Sequence, residues 1–184
     1  MRAAGRATGR RLHWLIFASI VVLSAAGTLG AQTPQWKTYS YAGDGFSASF
    51  PAEPTMQKQA VPVGSNSFEL RFYLAEDKSA GVMIGVCEFG SLVAGADPDA
   101  MLQGGKTTAL ENTKTHLLRE KSISLGANHG LEFEAENEAF HVTSRLYIVG
   151  TVLYEEIVAY PVKEPYAQTQ QFLDSFQLIA KTDK

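Results

Sequence analysis

Apolar and polar residues alternate along most of this chain. Phe46-Ser47-Ala48-Ser49-Phe50 alternates strictly and stops at Pro51, the signature of a strand buried on one face. The same period of two recurs at Trp36–Tyr41, less clearly at Met56–Val63, and at Phe68–Leu74, where Phe68, Leu70, Phe72 and Leu74 share a face. It recurs again at Gly81–Phe89, with Val82, Ile84 and Val86 on one side. Leu117–Leu125, Leu131–Glu136, His141–Val149 and Val152–Tyr160 complete the predicted strands, broken by Gly126, Gly130 and Gly150. Turn signals stand at Gly43-Asp44-Gly45, Gly64-Ser65-Asn66 and Asp77-Lys78-Ser79.

Two segments change period. Asp97 is a good N-cap, Pro98 suits the first helical position, and Met101, Leu102, Ala109 and Leu110 lie on one face. A second helix is expected from Glu164-Pro165, placing Tyr166, Thr169, Leu173 and Phe176 on a stripe. Hairpin strands interrupted by helices predict an antiparallel α+β domain whose helices cover the sheet.

The start of the chain has another pattern. Arg2, Arg6, Arg10 and Arg11 precede the apolar run Leu12–Leu23, and small residues lead to Ala31. This is the tripartite plan of a secretory signal peptide, so residues 1–31 are expected to direct export, with cleavage near Ala31. Residues 32–35 then form a tether, 36–180 a single domain and 181–184 a tail. An exported location, periplasmic or extracellular in a bacterium, follows, with no stable membrane insertion after cleavage.

Charge narrows the partners. The first 31 residues hold four of the 16 basic residues and none of the 19 acidic ones, so the remainder carries a net charge of −7. That argues against nucleic acid, which requires a cationic footprint. With Cys87 as the lone cysteine, an internal disulfide is impossible, and a small buried hydrophobe is the expected role of its thiol.

Catalytic and cofactor motifs fail on context. Gly43-Asp44-Gly45-Phe46-Ser47-Ala48 matches a dinucleotide fingerprint by letters, but a strand follows where a helix is needed. Gly105-Lys106-Thr107 lies inside a helix and has Ala100 where a phosphate loop needs glycine. No G-x-S-x-G or H-E-x-x-H run is present, so neither an enzyme nor a cofactor is expected.

The strongest chemical pattern is Glu132, Glu134, Glu136 and Glu138, alternating along one strand with Leu131, Phe133 and Ala135 pointing inward. A hairpin turning near Asn137-Glu138 sets Glu132 across from Arg145 and Glu136 across from His141. The row spans about 20 Å, too long for one shared cation. It is expected to be a solvated, partly charge-paired face that can dock a basic partner. The candidate surface is Glu132, Glu134, Glu136 and Arg145, together with His129, which is placed in an exposed turn over residues 126–130.

Phe172-Leu173-Asp174-Ser175-Phe176-Gln177-Leu178, read with Phe46-Ser47-Ala48-Ser49-Phe50-Pro51-Ala52-Glu53-Pro54, resembles small exported bacterial proteins of the PsbP-like/Mog-type fold. The segments 123–132 and 145–154 occur between them in the matching order. The resemblance implies an antiparallel sheet packed between helices, with the last helix running into a short final strand. It also implies docking onto another protein, since known members include an extrinsic photosystem II subunit and a protein that binds the Ran GTPase. A non-enzymatic domain binding an envelope protein is therefore expected. The alternative is a small-ligand or lipid carrier, with Trp36, Tyr39, Tyr41, Tyr73, Tyr147 and Tyr160 lining a pocket between sheet and helix.

Overall fold

The computed structural model describes residues 36–63, 66–77 and 80–182. The segments expected to be signal peptide and tether lie outside the described residues, as do the turn tips 64–65 and 78–79.

Strands β1 (Lys37–Tyr41), β2 (Phe46–Phe50), β3 (Thr55–Val63), β4 (Asn66–Asp77) and β5 (Ala80–Glu88) come first. After a 3-10 turn at Gly90–Val93 comes α1 (Pro98–Thr113). Then follow β6 (His116–Leu125), β7 (Asn128–Glu136), β8 (Phe140–Val149), β9 (Val152–Pro161), α2 (Thr169–Leu173) and β10 (Gln177–Leu178). Instead of one sheet there are two: a small one ordered β1-β2-β10 and a seven-stranded one ordered β3-β4-β5-β9-β8-β7-β6. All strand pairs are antiparallel. After β5 the chain crosses to the far edge, builds inward through β6, β7 and β8, and returns as β9 to pair with β5.

Alternation assigns each residue to a face of the large sheet. One face carries Tyr73, Val82, Ile84, Val86, Tyr147, Tyr154 and Val158. The small sheet and α2 cover it with Phe46, Ala48, Phe50, Phe172, Leu173 and Phe176. Phe46 and Phe50 are fully buried, so truncating either to alanine removes roughly 3–5 kcal/mol. On the opposite face α1 lies over β7 and β8, joining Leu102, Met101, Ala109 and Leu110 to Leu131, Phe133, Ala135, Leu146 and Ile148. The Asp97 side chain caps α1 by accepting from the Asp99 N–H at 3.1 Å, with Pro98 in the first turn.

The helix expected from Glu164 forms only over Thr169–Leu173. Tyr166 precedes it and donates its hydroxyl to Asp77 Oδ2 at 2.7 Å, tying the connection to the end of β4. Two glycines are required by geometry. Gly45 closes the β1–β2 turn at φ +75°. At Gly130 a Cβ would come within 2.5 Å of the Tyr147 ring, so the glycine makes room for that tyrosine in the core.

An arginine–carboxylate clamp fixes the turn after β1 to the large sheet. Arg71 Nε lies 2.8 Å from Asp44 Oδ1, and the Tyr73 hydroxyl donates to Asp44 Oδ2. The Tyr154 hydroxyl donates to the Asp44 carbonyl at 2.7 Å. Cys87 is a buried free thiol that burial pushes up to about 11, the opposite of what a reactive cysteine needs.

Candidate functional site

The hairpin of β7 and β8 has the register read from the sequence: Glu132 faces Arg145, Glu134 faces Thr143 and Glu136 faces His141. Asn137 shapes its turn, its Oδ1 accepting from the N–H groups of Ala139 (2.8 Å) and Phe140 (3.1 Å). The strand stops at Glu136, so Glu138 leaves the row for the exposed turn.

Strand β6 adds the element that alternation did not show. A β-bulge between Leu117 and Arg119 shifts the register by one residue. Without it Arg119 would stand across from Phe133, on the helix side of the sheet. With it, Arg119 faces Glu134 and Lys121 faces Glu132, while His116 faces Glu136. Three cross-strand rows result: His116–Glu136–His141, Arg119–Glu134–Thr143 and Lys121–Glu132–Arg145.

The glutamates are not a free acidic surface. Glu132 is buried, bonded by Lys121 Nζ at 2.8 Å and by Arg145 Nε at 2.7 Å. Burial alone would raise its pKa, but the two cations outweigh that and hold the carboxyl below its usual range. Glu134 pairs with Arg119 and lies 3.7 Å from His141 Nε2. Glu136 lies 3.6 Å from His141 Nδ1 and 3.9 Å from His116 Nε2. His141 stacks on Tyr160, with ring centroids 5.1 Å apart. Outward reach reverses the expected polarity. The side chains of Arg119, Lys121 and His116 are 73, 63 and 67% exposed, against 18, 7 and 32% for Glu134, Glu132 and Glu136. A carboxylate layer backs a cationic rim, because β6 is the outermost strand and its long side chains extend past their partners.

Arg145 connects this ladder to the cover above it. Its Nη1 donates to Asp174 Oδ1 at 2.9 Å and its Nη2 to Gln170 Oε1 at 3.2 Å, pinning α2 to β8. Beside it is a residue the sequence reading passed over. Glu156 on β9 faces Arg145 across the ladder, is fully buried, and neither carboxylate oxygen has a hydrogen-bond partner among the described residues. Burial raises its pKa well above 4.5, Arg145 opposes the shift, and Asp174 and Glu132 add to it. Its neighbour Glu155 points to the other face near the Ser144 hydroxyl (3.4 Å), and burial pushes it up to about 7. The signal was available: two consecutive glutamates inside an apolar central strand must send one carboxylate into each face.

His129 does not join this surface. It lies within β7, paired with Ser124, because the turn is confined to Gly126-Ala127. Its ring points to the α1 side, 2.9 Å from Asp99 Oδ1, opposite the glutamates. The aromatic residues considered for a ligand pocket are packed instead: Tyr73 and Tyr147 belong to the core, and Trp36, Tyr39, Tyr41 and Tyr160 pack against it. A shallow depression of about 230 Å³ sits on the β3–β4 hairpin, lined by Lys58, Gln59, Ala60, Ser67, Phe68 and Glu69, away from the helices. Among the described residues no group of three or more His, Cys, Asp or Glu is arranged to hold a metal ion, and no helix is long and apolar enough to cross a membrane.

A seven-stranded antiparallel sheet covered on one face by the small sheet and α2 and on the other by α1 defines an α+β domain, and its layout is PsbP-like. Twelve chains of solved structures match, among them the solution structure of cyanobacterial PsbP (CyanoP) from Synechocystis sp. PCC 6803. That match has a TM-score of 0.53 at 13% identity, covering 85% of this chain and 98% of the other. At this identity the likeness is one of fold. No family model matches the chain, and no sequence among curated proteins matches it either.

Proposed function

We propose that this chain is an exported, non-enzymatic docking domain that binds a partner protein in the cell envelope through the glutamate-bearing side of β6, β7 and β8, beyond the cover of α2. The observation that carries the reading is the charged ladder itself. Two exposed cationic side chains, Arg119 and Lys121, stand on a rigid sheet, each held in place by a less exposed carboxylate behind it, with the exposed His116 beside Glu136 in the next row. Charges fixed in this way steer encounter and set register more than they add affinity. The polarity favours an acidic partner surface, the reverse of the expectation from the glutamate row alone. Two further features support the reading: a PsbP-like fold, and a secretory pattern at the start of the chain.

The test is site-specific photocrosslinking in the host organism. A crosslinker at Lys121 should yield one adduct of defined mass, lost when Arg119→Glu and Glu120→Lys are introduced together. The control position is Gln103, exposed on α1. Equal adducts from both positions, or none from Lys121, would remove this surface from consideration.

A further inference from the structure

Resting on that docking surface, we infer that the partner supplies an extended acidic segment that adds to the large sheet as an eighth strand, antiparallel to β6. Strand β6 ends the sheet order, and β7 pairs with only one of its sides. Among the described residues no strand pairs with its other side, which presents a row of backbone donors and acceptors, the template for strand addition. The competing edge, β3, contains Pro62, which has no N–H to offer. In the small sheet, the edges are a five-residue and a two-residue strand.

The bulge between Leu117 and Arg119 limits regular pairing to the seven residues from Arg119 to Leu125, about 23 Å of strand. Within that length the glutamate-facing side of β6 presents Arg119, Lys121, Ile123 and Leu125 in order. Ile123 and Leu125 are half-buried against the core, whereas Arg119 and Lys121 reach into solvent. An antiparallel strand that matches this side therefore reads, from its N-terminus, apolar-x-acid-x-acid, with the acids opposite Lys121 and Arg119. Like charges directly opposite each other are unfavourable. Pairing two copies of β6 about residue 122, the middle of the regular segment, would set Arg119 against Leu125 and Lys121 against Ile123, leaving both cations without an acid, so an acidic strand fits this side better than a second copy of this chain. On the reverse side Glu120 is already paired with Lys106 of α1, leaving Ser122 and Ser124 as small neutral neighbours for any sequence.

The experiment uses the synthetic seven-residue peptide Thr-Leu-Thr-Glu-Thr-Glu-Thr. Amide signals and hydrogen exchange of β6 are followed by NMR in the domain. Signals of residues 119–125 should move, and their exchange should slow. Exchanging the two glutamates for lysine should abolish both effects. N-methylating alternate peptide amides, which keeps every side chain, should weaken binding by at least about tenfold, because main-chain hydrogen bonds supply the affinity in strand addition. Equal binding of the N-methylated peptide, or no response at β6 with millimolar peptide, overturns strand addition. If the Lys121 crosslink persists in that case, docking stands and only its strand geometry fails; if the crosslink is also absent, both fall.

Discussion

Arg71 and Arg145 do the same task at two ends of the domain and reach different solutions. Each rises from the large sheet and grips the layer covering it: Arg71 holds Asp44 in the turn after β1, and Arg145 holds Asp174 and Gln170 of the α2 region. Around Arg71 the buried charges match one to one. One buried carboxylate meets one guanidinium and the Tyr73 hydroxyl, the Tyr154 hydroxyl takes the backbone carbonyl of the same residue, and only Glu69 is added from the exposed side. Around Arg145 there are three carboxylates, and the guanidinium is directed at Glu132 and Asp174. Glu156, directly across the strands, is left as a buried acid with no partner among the described residues. The contrast shows that a single guanidinium, with a planar fork of fixed direction, can pair one strand neighbour and link two layers, but leaves a third carboxylate beside it without a hydrogen bond among the described residues.

Removing either arginine cluster measures its share. Arg145→Met leaves three carboxylates facing the space it filled and frees α2, so chemical denaturation should show a loss of about 3–5 kcal/mol. A loss no greater than that of an average surface substitution would break the comparison. Asp44→Asn keeps the shape of the other cluster but removes its charge, with an expected cost of about 1–3 kcal/mol by the same measurement. Glu156→Gln should act in the opposite direction and stabilise the domain at neutral pH. The sign follows from linkage. The folded pKa of Glu156 is raised, so its contribution is complete below the unfolded value near 4.5 and is lost as pH rises toward the folded value. Glu155, raised to about 7, adds a loss of the same sign between about 4.5 and 7. Denaturation midpoints from pH 4 to 8 should therefore fall less steeply in Glu156→Gln and flatten further when Glu155→Gln is added. The smallest effect belongs to Lys121→Ala. Arg145 still bonds Glu132, and the lysine is largely exposed, so the change should stay below about 1 kcal/mol in thermal or urea unfolding.

What alternation could show was local. The Glu132–Arg145 and Glu136–His141 pairs, the Asp97 cap and the burial of Cys87 all depend on period or on nearest neighbours in a hairpin, and each is present. The bulge was not legible because one extra residue leaves no mark in composition, yet it decides on which face Arg119 and Lys121 stand. His129 was misplaced for a related reason: Gly126 and Gly130 look alike as letters, but Gly126 turns the chain whereas Gly130 lies in a strand and yields space to Tyr147. The split into two sheets was also hidden, because the small sheet is completed by β10, a two-residue strand some 130 residues further along the chain than its partner β2. Exposure of the glutamates depended on how far the neighbouring strand's side chains extend, which no period encodes.

The order of the large sheet has a consequence for assembly. Its central strand, β9, is among the last to be made, and it joins β5 on one side to β8 on the other. Until residue 161 emerges, a growing or translocating polypeptide carries two partial ribbons whose interior edges are bare. The Phe46 side of β2 also waits, for Phe176 and the short β10 that seals it. The β5–β9 and β2–β10 closures each span a long stretch of sequence, and such non-local pairing slows folding. Whatever accompanies it during synthesis must shield both open edges until the last fifth of the chain arrives.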